Sequence, residues 1–239
     1  MTTQKKDHNN EEKFLLSYLI IPLSSIIIFS IGFIPIIFYC LFIKIFIPFT
    51  FINWTLLLLP FIVYFGISIL LLSQIFLSGL IIKIFNIYYM PGSYPYSTHE
   101  KNVLKWMIIV SIYTPIRKIL EIIPIGRLKN TYFRLLGMKI GKNTLVGGVI
   151  KDPCVTSFGK NSTMGEYAII YGHIHNFEKG TILIDPVSIG NNCVIGAGAI
   201  IMPGAIIEDN VTVAAGALVT KKQRLISGNM YVGIPAKKL

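Results

Sequence analysis

The apolar positions in the C-terminal half recur every sixth residue. Ile189, Ile195, Ile201, Ile207, Val213 and Val219 share one phase, and small or β-branched residues (Cys193, Ala199, Ala205, Val211, Ala217) follow four places after the first five. A period of six is neither the 3.6 of a helix nor plain strand alternation. It is the hexapeptide period of a left-handed parallel β-helix, three hexads closing one triangular coil. Each aliphatic residue then stacks on the one three hexads later, with strands about 4.8 Å apart. The small residues fit the corners, and Gly190 and Gly196 let the backbone turn there. Upstream, Ile140, Val146, Phe158, Met164 and Ile170 keep the phase, with a weak hexad at Asp152. From Ile170 to Leu183 is thirteen residues, one more than two hexads. That slip predicts a loop leaving the coil within His173–Ile182, and loops that interrupt a rigid repeat tend to carry function.

The N-terminal half has a different pattern. Phe14–Ile43 and Ile45–Ile82 are uncharged runs of thirty and thirty-eight residues, separated by Lys44. About twenty apolar residues cross a bilayer as helix, so residues 14–82 predict two transmembrane helices, with a turn around Lys44, Pro48, Asn53 and Trp54. A single very hydrophobic soluble core is the competing reading. A cleaved signal peptide would have a much shorter apolar run. Pro22, Pro35 and Pro60 are tolerated in such helices where the freed carbonyls find partners. Residues 1–13 read as a polar tail. Residues 83–139 read as an interfacial helical linker, with Tyr88, Tyr89, Tyr94 and Tyr96 suited to the headgroup belt. Within it, Lys101–Ile123 is expected to lie on the membrane surface as a helix containing Pro115, a third span being the alternative. Asn130 and Thr131 offer a cap for a short helix that Gly137 closes. The β-helix of about four coils occupies 140–219, and 220–239 is a basic C-terminal segment.

Charge adds an orientation. The chain carries a net +11 with 14% charged residues. Between Lys83 and Lys139 there are nine Lys or Arg against Glu100 and Glu121. By the positive-inside tendency this collar and the N-terminus face the cytoplasm, where the collar attracts anionic headgroups by about 1 kcal/mol per well-placed residue. No nucleic-acid motif accompanies the charge. Cys40, Cys154 and Cys193 are far apart and lack zinc-ribbon spacing, so no metal is expected. Cys40 and Cys193 read as packing residues, in a reducing compartment.

Several stretches resemble a known family. YFRLLGMKIGKNT resembles the entry to the coil in hexapeptide-repeat acyltransferases. GHIHNFEKGTILIDPVSIGNNCVIGAGAIIMPGAII resembles their active-site loop and following coil, and AAGALVTKKQRLISGNMYVGIPAKK resembles the C-terminal segment of sugar O-acetyltransferases. PGSYPYS after two apolar runs, with a Trp-bearing helix, RLLG and H-x-F-E, resembles the membrane-bound terminal domain of some non-ribosomal peptide synthetases. The resemblance implies a homotrimer with acyl-CoA, in the simplest case acetyl-CoA, lying between neighbouring coils. It implies a loop histidine as general base: His175 in the H-x-F-E segment first, His173 second, with Glu178 to orient the ring. Two of the four histidines lie in this loop, and deprotonating a hydroxyl near neutral pH suits an imidazole. The absence of a Ser or Cys nucleophile motif favours direct transfer over an acyl-enzyme.

By the same resemblance, Lys221, Lys222, Arg224, Lys237 and Lys238 are candidates for the CoA phosphates. Gly198, Gly204, Ala205, Ala215 and Gly216 are candidates for the cofactor path, and Gly196 or Gly198 for an oxyanion donor. Acceptors in keeping with a membrane site are a lipid-linked sugar, a polysaccharide precursor, or a peptide. Two rival readings stand: a non-catalytic membrane scaffold, and a γ-type carbonic anhydrase. The anhydrase needs three His ligands, of which the coil offers His173 and His175.

Overall fold

Hexads stack as the period requires. Ile140, Phe158, Ile189, Ile207 and Leu225 form one column; Val146, Met164, Ile195, Val213 and Tyr231 a second; Ile150, Ile170, Ile201 and Val219 a third. Every pairing between these strands is parallel, and the three columns are the three faces of the coil. The computed structural model describes residues 19–46, 52–122 and 126–239; the polar tail and Pro48 lie outside them, as does the side chain of Trp54. The corner residues Cys193, Ala199, Ala205, Val211 and Ala217 are at most 1% exposed, because a corner has no room for a larger side chain. At another position in the corners, Asn143, Asn161, Asn192 and Asn210 take positive φ, a conformation Asn tolerates. Their side chains form a ladder with steps of 3.3, 3.3 and 3.2 Å.

Three details differ from the phase count. The repeat runs past Val219 through Leu225 and Tyr231, and closes with Lys237–Lys238 antiparallel to Met230–Val232. On the third face of the first coil the inward residue is Ile150. The chain then makes a short turn, Pro153–Val155, which carries Asp152 out of the column and buries it. The loop is also larger than a slip. Stacked residues are 18 apart from Ile189 to Ile207 but 31 apart from Phe158 to Ile189, so thirteen residues are inserted. A period count registers an insertion only by its remainder after whole hexads, and thirteen leaves one. Leu183 therefore belongs to the inserted hairpin, and the coil resumes at Val187–Ile189.

The N-terminal part comprises α1 (19–31), α2 (Ile34–Phe46) and α3 (Ile52–Ile84). The stretches Leu19–Phe46 and Leu57–Ile84 are long and apolar enough to cross a membrane. Their outward residues are bare: Ile26, Phe38, Ile45, Phe61 and Tyr64 are each more than 60% exposed. α1 and α2 meet at a break just before Pro35. There Phe33 N bonds Ser30 O, freeing the Phe29 carbonyl. Gln74 Nε2 on α3 donates to Phe29 O at 3.1 Å, and Ser73 Oγ donates to Gly32 O at 2.6 Å. Gly32 leaves room for this close approach: a Cβ would come within 2.3 Å of Gln74 Oε1, so that amide would have to shift.

α4 (Lys101–Ile122) lies between these helices and the first coil. Ser111 Oγ is 2.6 Å from Ser25 Oγ on α1, and Tyr113 OH donates to Ile150 O at 2.6 Å. Val103, Trp106, Ile109, Ile112, Tyr113, Ile116 and Leu120 are buried along it. Of the tyrosines expected at the headgroups, Tyr89 is turned inward at 2% exposed, while Tyr96 stays exposed and meets the hairpin with its ring. α5 begins at Gly126 rather than Asn130 and runs to Leu135. Asn130 and Thr131 sit inside it because Asn130 Nδ2 donates to Thr144 O at 2.7 Å instead of capping. Gly137, at φ +91, closes α5.

With no coil beneath it, the first coil has carbonyls that lack a ladder partner, and a buried orphan is costly. Side chains of α4 and α5 supply the donors. Arg134 donates to Ile140 O at 3.2 Å, Asn130 to Thr144 O, and Tyr113 to Ile150 O. Lys129 Nζ donates to Gly147 O at 2.9 Å and Gly148 O at 2.8 Å, and burial holds its ammonium below the ordinary lysine range. Lys129→Met, which keeps the stem and removes the donors, is expected to cost about 1–3 kcal/mol. Ile195→Ala, in the fully enclosed column, is expected to cost about 2–5 kcal/mol. Urea unfolding of the detergent-solubilised protein measures both; a Lys129→Met protein as stable as the parent would remove the capping role.

Candidate active site

The thirteen inserted residues form an antiparallel hairpin, His173–Asn176 with Thr181–Ile184. It leaves the coil at the corner between the third and first faces. A strand from just beyond α3, Gly92–Pro95, pairs antiparallel with Thr181–Ile184 and makes a three-stranded sheet. The register sets Gly92, Ile184 and His173 side by side, and likewise Tyr94, Ile182 and His175. Alternation then puts both histidines on one face of the sheet. That face meets α4. The Trp106 ring lies 4.8 Å from His173 and 5.6 Å from His175, centroid to centroid. Tyr96 stands edge-on to His175 at 4.8 Å, and Phe177 stacks on it at 5.7 Å.

Beneath the histidines lies Asp152, with no solvent exposure. Its Oδ2 accepts from Gly172 N at 2.8 Å and pairs with His173 Nδ1 at 2.7 Å. Its Oδ1 accepts from Trp106 Nε1 at 3.0 Å and Tyr89 OH at 3.1 Å. A carboxylate taken out of water needs such replacements for its hydration. Burial, then the charge of Asp152, push the Tyr89 hydroxyl well above its usual range, so it stays a donor. The same two causes push the Cys154 thiol up to about 12; it donates to Leu136 O at 3.1 Å. His173 keeps 17% of its side chain exposed. His175 is held below the ordinary histidine range, by burial first and by neighbouring His173 second.

His173 and His175 come together, their rings 5.4 Å apart. Glu178 sits at the exposed hairpin tip, and among the described residues no hydrogen bond or ion pair joins it to either ring. The carboxylate that meets a histidine is Asp152. Lys221, His175, Glu178 and Ser93 line a groove of ≈ 530 Å³ on the hairpin's outer side. Lys222 and Gly204 share the hairpin's corner: Lys222 Nζ is 3.8 Å from Asp185 Oδ2, which a Cβ at Gly204 would meet at 2.6 Å. Ala205 is fully buried inside that corner. Gly198, Ala215 and Gly216 lie at the corner between the second and third faces, and Lys237 on the terminal strand. Gly196 N and Gly198 N already donate to Val213 O at 2.8 Å and Glu166 O at 3.0 Å, so neither is free as an oxyanion donor. Asp152, Trp106 and Tyr89 were not among the residues the sequence nominated. For Asp152 a signal existed, an acid where the repeat calls for an aliphatic residue; Trp106 and Tyr89 carry none. No group of three or more His, Cys, Asp or Glu among the described residues is placed to hold a metal.

A sequence profile described as "Hexapeptide repeat of succinyl-transferase" matches residues 186–221. YvoF of Bacillus subtilis (strain 168), classed among the acetyltransferases, is 35% identical over 128 residues, covering 50% of this chain and 67% of YvoF. Delta-poly-L-ornithine synthetase of Acinetobacter baumannii (strain AB307-0294) is 30% identical over 109 residues, 44% of this chain but only 8% of the synthetase. Mitochondrial gamma carbonic anhydrase 2 of Arabidopsis thaliana is 30% identical over 98 residues, 41% of this chain and 29% of the anhydrase. The hexad columns, the inserted hairpin and the match across two thirds of YvoF lead to one assignment: the chain belongs to the hexapeptide-repeat acyltransferase family.

Proposed function

We propose that the chain transfers an acyl group, in the simplest case acetyl, from acyl-CoA to a hydroxyl or amine, with His173 as general base. The observation that carries this reading is the His173–Asp152 pair at the base of the hairpin. A carboxylate on Nδ1 fixes the ring proton there and leaves the Nε2 lone pair for the acceptor. As the acceptor O–H or N–H attacks the thioester carbon, its proton passes to Nε2 and the new O–C or N–C bond forms. The tetrahedral intermediate collapses, the C–S bond breaks, and the imidazolium returns the proton to the CoA sulfur. His175, held neutral, forms a polar wall beside the base. Lys221 and Lys222, on the corner above the hairpin, suit the CoA phosphates. Cys154, half-buried and with its thiol pushed up to about 12, is a poor nucleophile, which supports direct transfer.

The wider setting belongs to the same proposal. The hexapeptide period and the family support a left-handed coil and a homotrimer. In such a trimer the corner bearing Gly198, Ala215 and Gly216 would face a neighbour's hairpin. The bare apolar faces of α1, α2 and α3 support two membrane spans, and the basic collar supports a cytoplasmic site. A tethered site favours a membrane-associated acceptor such as a lipid-linked sugar, or a peptide, by effective concentration.

His173→Ala and Asp152→Asn are expected to lower acetyl-CoA consumption about 10²–10⁴-fold with KM for acetyl-CoA unchanged, read as thiol release by the purified protein in detergent. A fully active His173→Ala protein would sink the base assignment, and a parent that turns over no acyl-CoA would favour a scaffold. Zinc bound at one ion per chain, three per trimer, would favour the anhydrase reading. Cys154→Ala should retain transfer; loss of turnover with normal folding would point to an acyl-enzyme instead. For His175 the sign follows from its depressed pKa. The unfolded chain binds the proton more readily, so the contribution of this group is full above the unfolded value near 6.5 and is lost as pH falls below it. NMR titration should find the His175 ring titrating below the ordinary histidine range; a midpoint at or above it would contradict the burial argument.

A further inference from the structure

We propose that Trp106 and Tyr89 are positioning residues of the catalytic site, so that the segment between α3 and the coil is part of the active site as well as its tether. The inference rests on the reading of His173 as base. The coil and hairpin alone give Asp152 two partners, Gly172 N–H and His173, both on Oδ2. Both donors to Oδ1 come from outside the coil: Trp106 Nε1 on α4 and Tyr89 OH just beyond α3. These side chains are 6% and 2% exposed, so water does not compete for the carboxylate. With Oδ1 held from two directions, the carboxylate cannot turn without breaking both bonds, and Oδ2 stays aimed at His173 Nδ1. The Trp106 ring also stands against both imidazoles, so one side chain restrains the carboxylate and the rings together. The hairpin is held by the same segment through the strand Gly92–Pro95 and the bond from Tyr96 N to Gly180 O at 2.8 Å.

Trp106→Phe and Tyr89→Phe each keep an aromatic ring and delete one donor to Oδ1. In the full-length protein in detergent, each should lower kcat for acetyl-CoA consumption about tenfold, the size of one lost charge-assisted hydrogen bond, with KM unchanged. ¹⁵N NMR of the His173 ring should change from a single Nδ1–H tautomer to a mixture of tautomers. A purely structural role would lower the melting temperature without altering the tautomer. Full kcat and a single tautomer in both variants, with His173→Ala inactive, would overturn this inference while leaving the base assignment intact. An active His173→Ala protein would overturn both. If Trp106→Phe loses the fold, Tyr89→Phe, which removes one oxygen atom, decides the matter alone.

Discussion

A carboxylate with no path to water must find its solvation in the protein, and this constraint joins the parts of the molecule. Asp152 takes donors from the base of the hairpin, from α4 and from the turn after α3. Breaking a buried charge away from its partners typically costs several kcal/mol, so those three elements hold one arrangement. The hairpin is inserted in the coil, α4 packs against α1, and Tyr89 follows α3 by a few residues. A single buried group thus ties the apolar helices to the histidines.

The coil was legible because its stacking imposes the same demand at every sixth residue. Each inward site selects an aliphatic side chain and each corner a small one, and Ile189 through Val219 show both. The hairpin was legible only in part. Stacking energy is indifferent to what lies between two coils, so thirteen extra residues left a remainder of one. The partners of Asp152 were not legible, because Trp106 and Tyr89 lie 46 and 63 residues away in sequence and carry no periodic mark. Tyr89 and Tyr96 were expected at the headgroups because composition near an apolar run suggests a belt. A tertiary contact with Asp152 buries Tyr89 instead, and Tyr96, still exposed, also meets His175. Asn130 was read as a cap for a similar reason: a side chain that can cap a helix can equally satisfy a carbonyl of the coil.

The apolar helices obey the same polar accounting as the coil. The break between α1 and α2 exposes carbonyls that nothing within that helix can satisfy, and Gln74 and Ser73 of α3 reach across to them. In an apolar surrounding such bonds have no water to compete with them. They fix α3 against the first helix at one height, and α3 leads directly into the Tyr89 turn. The position of the apolar helices and the geometry at Asp152 are therefore not independent.

A stack of parallel strands has two open ends, and each is a template on which another chain could add. Here the lower end is occupied by the donors of Arg134, Asn130, Lys129 and Tyr113. The upper end turns back on itself where Lys237–Lys238 reverse direction against Met230–Val232. The lower end and one face of the upper end are thereby covered, which shortens the open edge on which a second molecule could add.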